Sequence, residues 1–170
     1  MTDRPLRRAE RGVADPAAVA EIIAACTVCH VGFVDQGEPY VVPLNFGWEA
    51  ATDRQPARFW FHSATDGRKA DLVAARPPVC VQLSEDLGLV THPDRACAWT
   101  QRYRSVMAWG VARPAETPDE ARHGLDVIMH QHAGRDGWTY PDPMLARTLV
   151  WCVEVARLSA KQHVAKADPA

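Results

Sequence analysis

A mostly antiparallel β structure that closes into a small barrel is the fold class the sequence predicts, and three observations carry it. Six or seven strand-like segments outnumber three helical ones. Short turns join the strands, without the strand–helix alternation of a parallel sheet. Three helices are too few to cover so many strands, and closure removes the exposed edges. The 170 residues fit one domain. The expected organisation is a loose basic arm over 1–14, a single domain over 15–163 and a polar tail over 164–170.

The elements follow in order. Asp15 and Pro16 read as an N-cap and a first helical position, and Val19, Ile22, Ile23 and Cys26 follow at helical spacing, giving a helix to about Ala25. Val28–Val34 alternates as a strand, with Asp-Gln-Gly-Glu-Pro as its turn. Tyr40–Trp48 reads as the next strand, and Pro43 marks an edge or a bulge. After the loop 51–57, Arg58–Ser63 is a strand. A helix from Asp66 to Ala75 then stops before Pro77 and Pro78. Val79–Glu85 is a further strand, and 87–96 reads as a turn or edge connection. The stretch 97–114 holds one long strand or two, bent near Gln101–Tyr103. Thr117, Pro118 and Glu120 form a capping box, Leu125, Ile128 and Met129 give that helix its apolar face, and Gly134 ends it. Residues 138–145 read as irregular, and Leu149–Ser159 as the last strand.

Composition narrows the function. Apolar residues make up 47% and charged residues 24%, which suits a packed soluble core. The net charge is -2 with no basic block, against binding of nucleic acid through its phosphates. No apolar run reaches the length of a membrane span. The first twelve residues carry charge without a following apolar core, so a secretory signal is not expected and the cytoplasm is. Five cysteines, an odd number, argue against a disulfide framework. Cys80, Cys97 and Cys152 read as small core residues. Cys26-Thr-Val-Cys29-His30 matches the c-type haem attachment pattern. Attachment normally follows export, however, and this stretch straddles a helix end and an apolar strand, so two packing cysteines and an edge histidine are expected. His123, His130 and His132 read as solvated helix histidines, and no metal site is expected.

The candidate site lies at strand ends. Arg68 and Lys69 fall in the first turn of a helix, where the macrodipole makes cations unfavourable. A bound phosphate reverses that penalty, which points to a phosphate-bearing cofactor. Asn45 both donates and accepts hydrogen bonds, and Pro43 lacks a backbone donor. His62 and Ser63 end a strand just before the basic pair. Tyr103, Arg104 and Ser105 form a second polar cluster. Phe46, Trp48, Trp60, Trp99 and Trp109 flank these segments, and apolar walls with a few fixed polar groups suit a flat heteroaromatic ring.

PYVVPLNFGW, FWFHSATDGRKADLV, WTQRYRSVMAWGVAR and the strand ending RLSAKQH, in this order, resemble the pyridoxamine 5'-phosphate oxidase-related flavoproteins, and most closely their nitroimidazole-resistance-like branch. The resemblance spans Ile22 to His163. It implies a split β-barrel that forms a homodimer, with FMN in clefts at the dimer interface. FAD, haem and a deazaflavin are the alternative cofactors. By position, Val42, Pro43, Leu44 and Asn45 line the flavin ring, and His62 and Ser63 lie near the ring or its side chain. Arg68 and Lys69 hold the phosphate, and Tyr103, Arg104 and Ser105 form the opposite wall. His62 is also the candidate catalytic proton donor or substrate contact. The implied activity is an FMN-dependent, nitroreductase-like oxidoreduction on a small molecule. Haem binding or breakdown, or flavin storage or sensing without turnover, are the alternatives. The residues that bind pyridoxal phosphate in true pyridoxamine phosphate oxidases have no match in the C-terminal third.

Overall fold

Each strand of this chain has one face that fits a common core, and the sheet curls until those faces meet. The computed structural model describes residues 7–164. The outer parts of the expected arm and tail, 1–6 and 165–170, lie outside the described residues. The strands are β1 (Gly12–Val13), β2 (Cys29–Asp35), β3 (Glu38–Leu44), β4 (Gly47–Glu49), β5 (Arg58–Ala64), β6 (Pro78–Val90), β7 (Thr100–Pro114) and β8 (Thr148–His163). The helices are α1 (Pro16–Ala24), α2 (Arg68–Ala74), α3 (Pro118–Ala133) and α4 (Asp142–Leu145). All pairings are antiparallel, in the order β3-β2-β6-β7-β8-β5-β4, with β1 added beside β8. One core takes Val31 and Phe33 of β2, Phe59 and Phe61 of β5, Val79, Val81 and Leu83 of β6, Val106 and Ala108 of β7, and Trp151 and Val153 of β8. A single core lined by strands along the whole path is what a wrapped sheet produces. The sheet does not close by hydrogen bonds, since β3 and β4 remain its two ends, and the split-barrel expectation holds in that open form.

The local chemistry explains most boundaries. Asp15 accepts from the Ala18 amide at 3.2 Å and Pro16 opens α1. Ile22 and Ile23 of α1 are fully buried and plug the barrel end nearest Cys26. Thr117 Oγ1 accepts from the Glu120 amide at 3.1 Å, while the Glu120 carboxylate reaches back to the Glu116 amide at 2.6 Å, so the capping box forms one residue wider than the usual pattern.

Several boundaries differ from the sequence expectation. The segment 40–48 is two strands, because Phe46 turns into the core and the chain leaves β2 to pair with β5. Asn45 holds this corner by donating from Nδ2 to the Thr27 carbonyl at 3.0 Å. The expected connection after Glu85 is strand as far as Val90. A bulge between Asp86 and Leu89 absorbs the turn residues, with Gly88 at φ +91° and its amide bonded to the Asp86 carboxylate at 2.7 Å. The stretch 97–114 holds one strand, starting at Thr100, and its pairing is irregular at two places: at Gln101–Tyr103, opposite the Asp86–Leu89 bulge, as expected, and again at Trp109–Gly110. The last strand runs four residues further, because Lys161, Gln162 and His163 pair with Ser105, Arg104 and Tyr103 at the exposed end of the sheet. Within the expected arm, Gly12 and Val13 pair with Lys161 and Ala160. Asp142–Leu145, expected to be irregular, is a short helix. Cys152 is buried as expected, Cys80 is half-buried, and Cys97 is exposed in the tight turn before β7.

Candidate functional site

The structure brings one part of the expected site together. Arg68 and Lys69 are the first two residues of α2. Arg68 donates from Nε to the Asp35 carboxylate at 2.6 Å, and its guanidinium lies over the Tyr40 ring at 4.3 Å. The start of α2 is therefore docked on the β2–β3 hairpin. Strand β3 is an end strand, so one of its backbone edges has no strand partner among the described residues. The Val42–Asn45 segment continues along that strand from Tyr40. Asp35 already answers the charge of Arg68. Lys69 has no acidic partner among the described residues, and burial lowers its ammonium pKa. The cation at this helix start whose charge no described acid answers is therefore Lys69. Arg68 keeps its two terminal nitrogens without a partner among the described residues.

The four β3 residues do not all present side chains outward. Val42 and Leu44 alternate with Pro43 and pack against the core, so toward a ligand they offer backbone only. Pro43 is exposed, and so is Asn45, whose amide is committed to Thr27. His62 and Ser63 lie on opposite faces of β5. His62 shares the side of Trp60, which packs under α3, and Ser63 shares the side of Phe61, which is in the barrel core. The His62 imidazole is held below its ordinary pKa, first by burial and then by the neighbouring Lys69 ammonium and His132 imidazole. Two histidines and a lysine thus act on one another without an acid.

The third segment stands apart. Pro78 pairs with Val111, whereas Ser84 pairs with Ser105 and Asp86 with Tyr103. The start of β6, just after α2, and Tyr103–Ser105 are thus separated along the sheet by about 20 Å at ~3.4 Å per residue. Within one chain, Tyr103, Arg104 and Ser105 do not join Arg68 and Lys69. Nor do they face one way, since Arg104 is ion-paired with Glu85 at 2.5 Å near Cys26, on the face opposite Ser105.

The remaining candidates are structural. Cys26 and Cys29 are both buried, and burial raises both thiols, Cys29 to about 12, which disfavours the free thiolate at neutral pH. His30 is exposed on the outer face of β2. His123 meets Glu49, and His130 meets Asp136, each at 2.9 Å. Phe46 and Trp60 are fully buried, Trp48 and Trp109 half-buried, and Trp99 is 50% exposed. The largest groove, of about 760 Å³, lies between α1, β1 and β8 and contains none of the expected site residues. Its walls are mainly alanine, glycine and valine beside Trp48, with no charged side chain to orient a cofactor. The sequence reading missed a cluster at the other side of the barrel. Arg113, 8% exposed, donates to Glu120 at 2.7 Å and Glu154 at 3.0 Å, and Glu154 also pairs with Arg58 at 3.3 Å. Only the capping role of Glu120 was visible in the sequence.

An open antiparallel barrel with a free strand edge next to paired cations defines the class as a β-dominated split barrel. The chain belongs to the pyridoxamine 5'-phosphate oxidase family, whose sequence model matches residues 15–162. A candidate 5-nitroimidazole antibiotic resistance protein from Bacteroides thetaiotaomicron is 32% identical, over 89% of this chain and 86% of its own, with a TM-score of 0.74. This is the branch expected from the sequence. Two more distant structures share the fold. The flavocytochrome Anf3 of Azotobacter vinelandii has a TM-score of 0.78 at 22% identity, covering 99% of this chain and 78% of its own. A FAD and heme binding protein of Mycobacterium smegmatis has a TM-score of 0.76 at 19% identity, covering 94% and 77%. No curated protein matches the chain at a significant level. Among the described residues, no helix is long and apolar enough to cross a membrane.

Proposed function

We propose that this protein is a homodimeric flavoprotein that binds FMN and carries out a nitroreductase-like oxidoreduction on a small molecule in the cytoplasm. The observation that carries this reading is the docking of Arg68 on Tyr40. It makes the basic pair and the unpaired backbone edge of β3 one site. The two ends suit the two ends of a flavin mononucleotide. Lys69 and the free terminal nitrogens of Arg68 match a phosphate, and backbone groups along β3 match the hydrogen-bonding rim of a flat ring. The flavin, when bound, supplies the electron transfer. The chain's own residues would bind and orient it, and His62, which has no hydrogen bond to another described residue, is the candidate to pass a proton to a reduced substrate.

Dimerisation is supported by the outer face of the sheet. Val34, Val41, Met107 and Val111 are 65%, 59%, 41% and 44% exposed there, around Pro39 and Pro43. A bare apolar patch of this kind marks an interaction surface. A two-fold partner also gives Tyr103–Ser105 a way to reach the cleft from the other subunit. The named cofactors of the more distant structures keep FAD and haem as alternatives, and the visible spectrum of the purified protein distinguishes a flavin doublet from a Soret band. Lys69→Ala is expected to weaken FMN binding at least about tenfold, because a hydrogen bond to a charged group contributes about 1.5–3 kcal/mol. Unchanged affinity in a fluorescence titration rejects the phosphate assignment.

A further inference from the structure

His62 has a second neighbourhood. It lines a cavity of about 270 Å³ that includes no residue of β3 or α2 and lies between β5, α3 and the α4 segment. Leu125, Met144 and Leu145 form its apolar walls, and Tyr140 and Thr148 are its hydroxyl residues. Both hydroxyls have committed their protons: Tyr140 donates to the Asp126 carboxylate at 2.8 Å, and Thr148 to the Met144 carbonyl at 2.8 Å. His62 has no hydrogen bond to any described residue. It is therefore the one donor the cavity holds in reserve.

Basic groups face that donor more directly than acidic ones. The groups acting on His62 are Lys69 of α2 and His132 of α3. The nearby acids are engaged elsewhere, Asp126 behind Tyr140 and Asp142 with Arg122 at 2.8 Å. A ligand completing this cavity brings an acceptor, preferably anionic, to His62 and an apolar body to Leu125 and Met144. Ligand cavities commonly run from roughly 300 to 1,000 Å³, so this one is sized for a single ring.

We propose that the cavity is the substrate-ring pocket and that it selects monocyclic aromatic carboxylates, with the carboxylate on His62 and the ring between Leu125 and Met144. The proposal rests on the reading of His62 as the substrate contact and adds the class of substrate. Calorimetric titration of the purified protein with benzoate, with and without bound flavin, tests it. Benzoate is expected to bind at least tenfold more tightly than nitrobenzene, a neutral molecule of the same shape. His62→Ala is expected to reduce benzoate affinity tenfold or more. Met144→Trp, at an exposed position that tolerates a larger side chain, is expected to abolish binding, and Leu125→Trp gives a second block at a half-buried position. Each variant is accepted only if its circular dichroism matches the parent's. Equal affinity for the two probes, or full benzoate affinity in both Trp variants, overturns the proposal. If benzoate binding follows these residues in a protein that takes up no flavin, the pocket stands and the cofactor reading falls. If flavin binds and benzoate does not, only the pocket falls.

Discussion

The sheet has two flanks outside its core, and they are finished in opposite ways. The β4–β5 flank is covered by α3 at very short range. A Cβ on Gly47 would lie 2.5 Å from the α3 backbone at Val127 and Ile128, and a Cβ on Gly124 would lie 2.4 Å from the Trp60 ring. One glycine in the sheet admits the helix, and one in the helix admits a sheet side chain. Arg113, Glu120, Glu154 and Arg58 then fasten the helix start. Among the described residues the β3-β2-β6-β7 flank has no such cover, and its valines, prolines and Met107 lie open. The contrast teaches that apolar surface on this barrel is not left bare for want of a helix. One flank has an intramolecular cover, and the other is the surface proposed above for a partner.

The sharpest way to break this contrast is Gly47→Val. The added carbons meet backbone rather than a movable side chain, so a loss of about 3 kcal/mol or more is expected in urea unfolding. Arg113→Ala comes next, at about 2–3 kcal/mol, the low end for breaking a buried pair because Glu154 is partly exposed. Its pH dependence gives a further check. Burial alone pushes the Glu120 carboxyl up, but its hydrogen bonds to Arg113 and to the Glu116 amide hold it below the ordinary 4.5. The stabilisation it gives is thus complete above that ordinary value and is lost as the pH falls through the lower folded-state value. Arg113→Ala is expected to flatten the acid limb of the stability profile. The smallest effect on stability, within about 0.5 kcal/mol, is expected from Met107→Asp on the open flank. Sedimentation velocity should nevertheless show this variant as a monomer. A dimer unaffected by Met107→Asp would mean that this flank is not the interface.

The same contrast separates what was legible in the sequence from what was not. The antiparallel β-dominated fold, α1, α3 with its caps, and the strands around Phe33, Phe61 and Trp151 follow from periodicity and capping residues, which act locally, whereas the open form of the barrel was implied only by the family resemblance. The break at Asn45–Phe46 does not, because it depends on the distant Thr27 carbonyl and on β5. The extension of β8 to His163 was hidden because polar residues at an exposed strand end look like a tail. In the site, the placement of Arg68 and Lys69 at a helix start was readable. Asp35 as the partner of Arg68, and the outward or inward facing of Val42 through Asn45, were not. Those depend on hairpin register and on a contact across 33 positions of sequence. Arg113 was invisible for the same reason: a buried guanidinium is announced only by partners the fold supplies.

On the proposed phosphate reading, the Asp35–Arg68 contact changes how affinity at this site is set. An arginine free in solvent must give up rotamer freedom when it grips a ligand. Here the carboxylate on Nε and the Tyr40 ring beneath the guanidinium have already removed that freedom, while the two terminal nitrogens stay available. Asp35 also cancels one positive charge, so attraction at long range is modest and falls mainly to Lys69. Such a site discriminates by the shape of the oxygens it meets rather than by total charge.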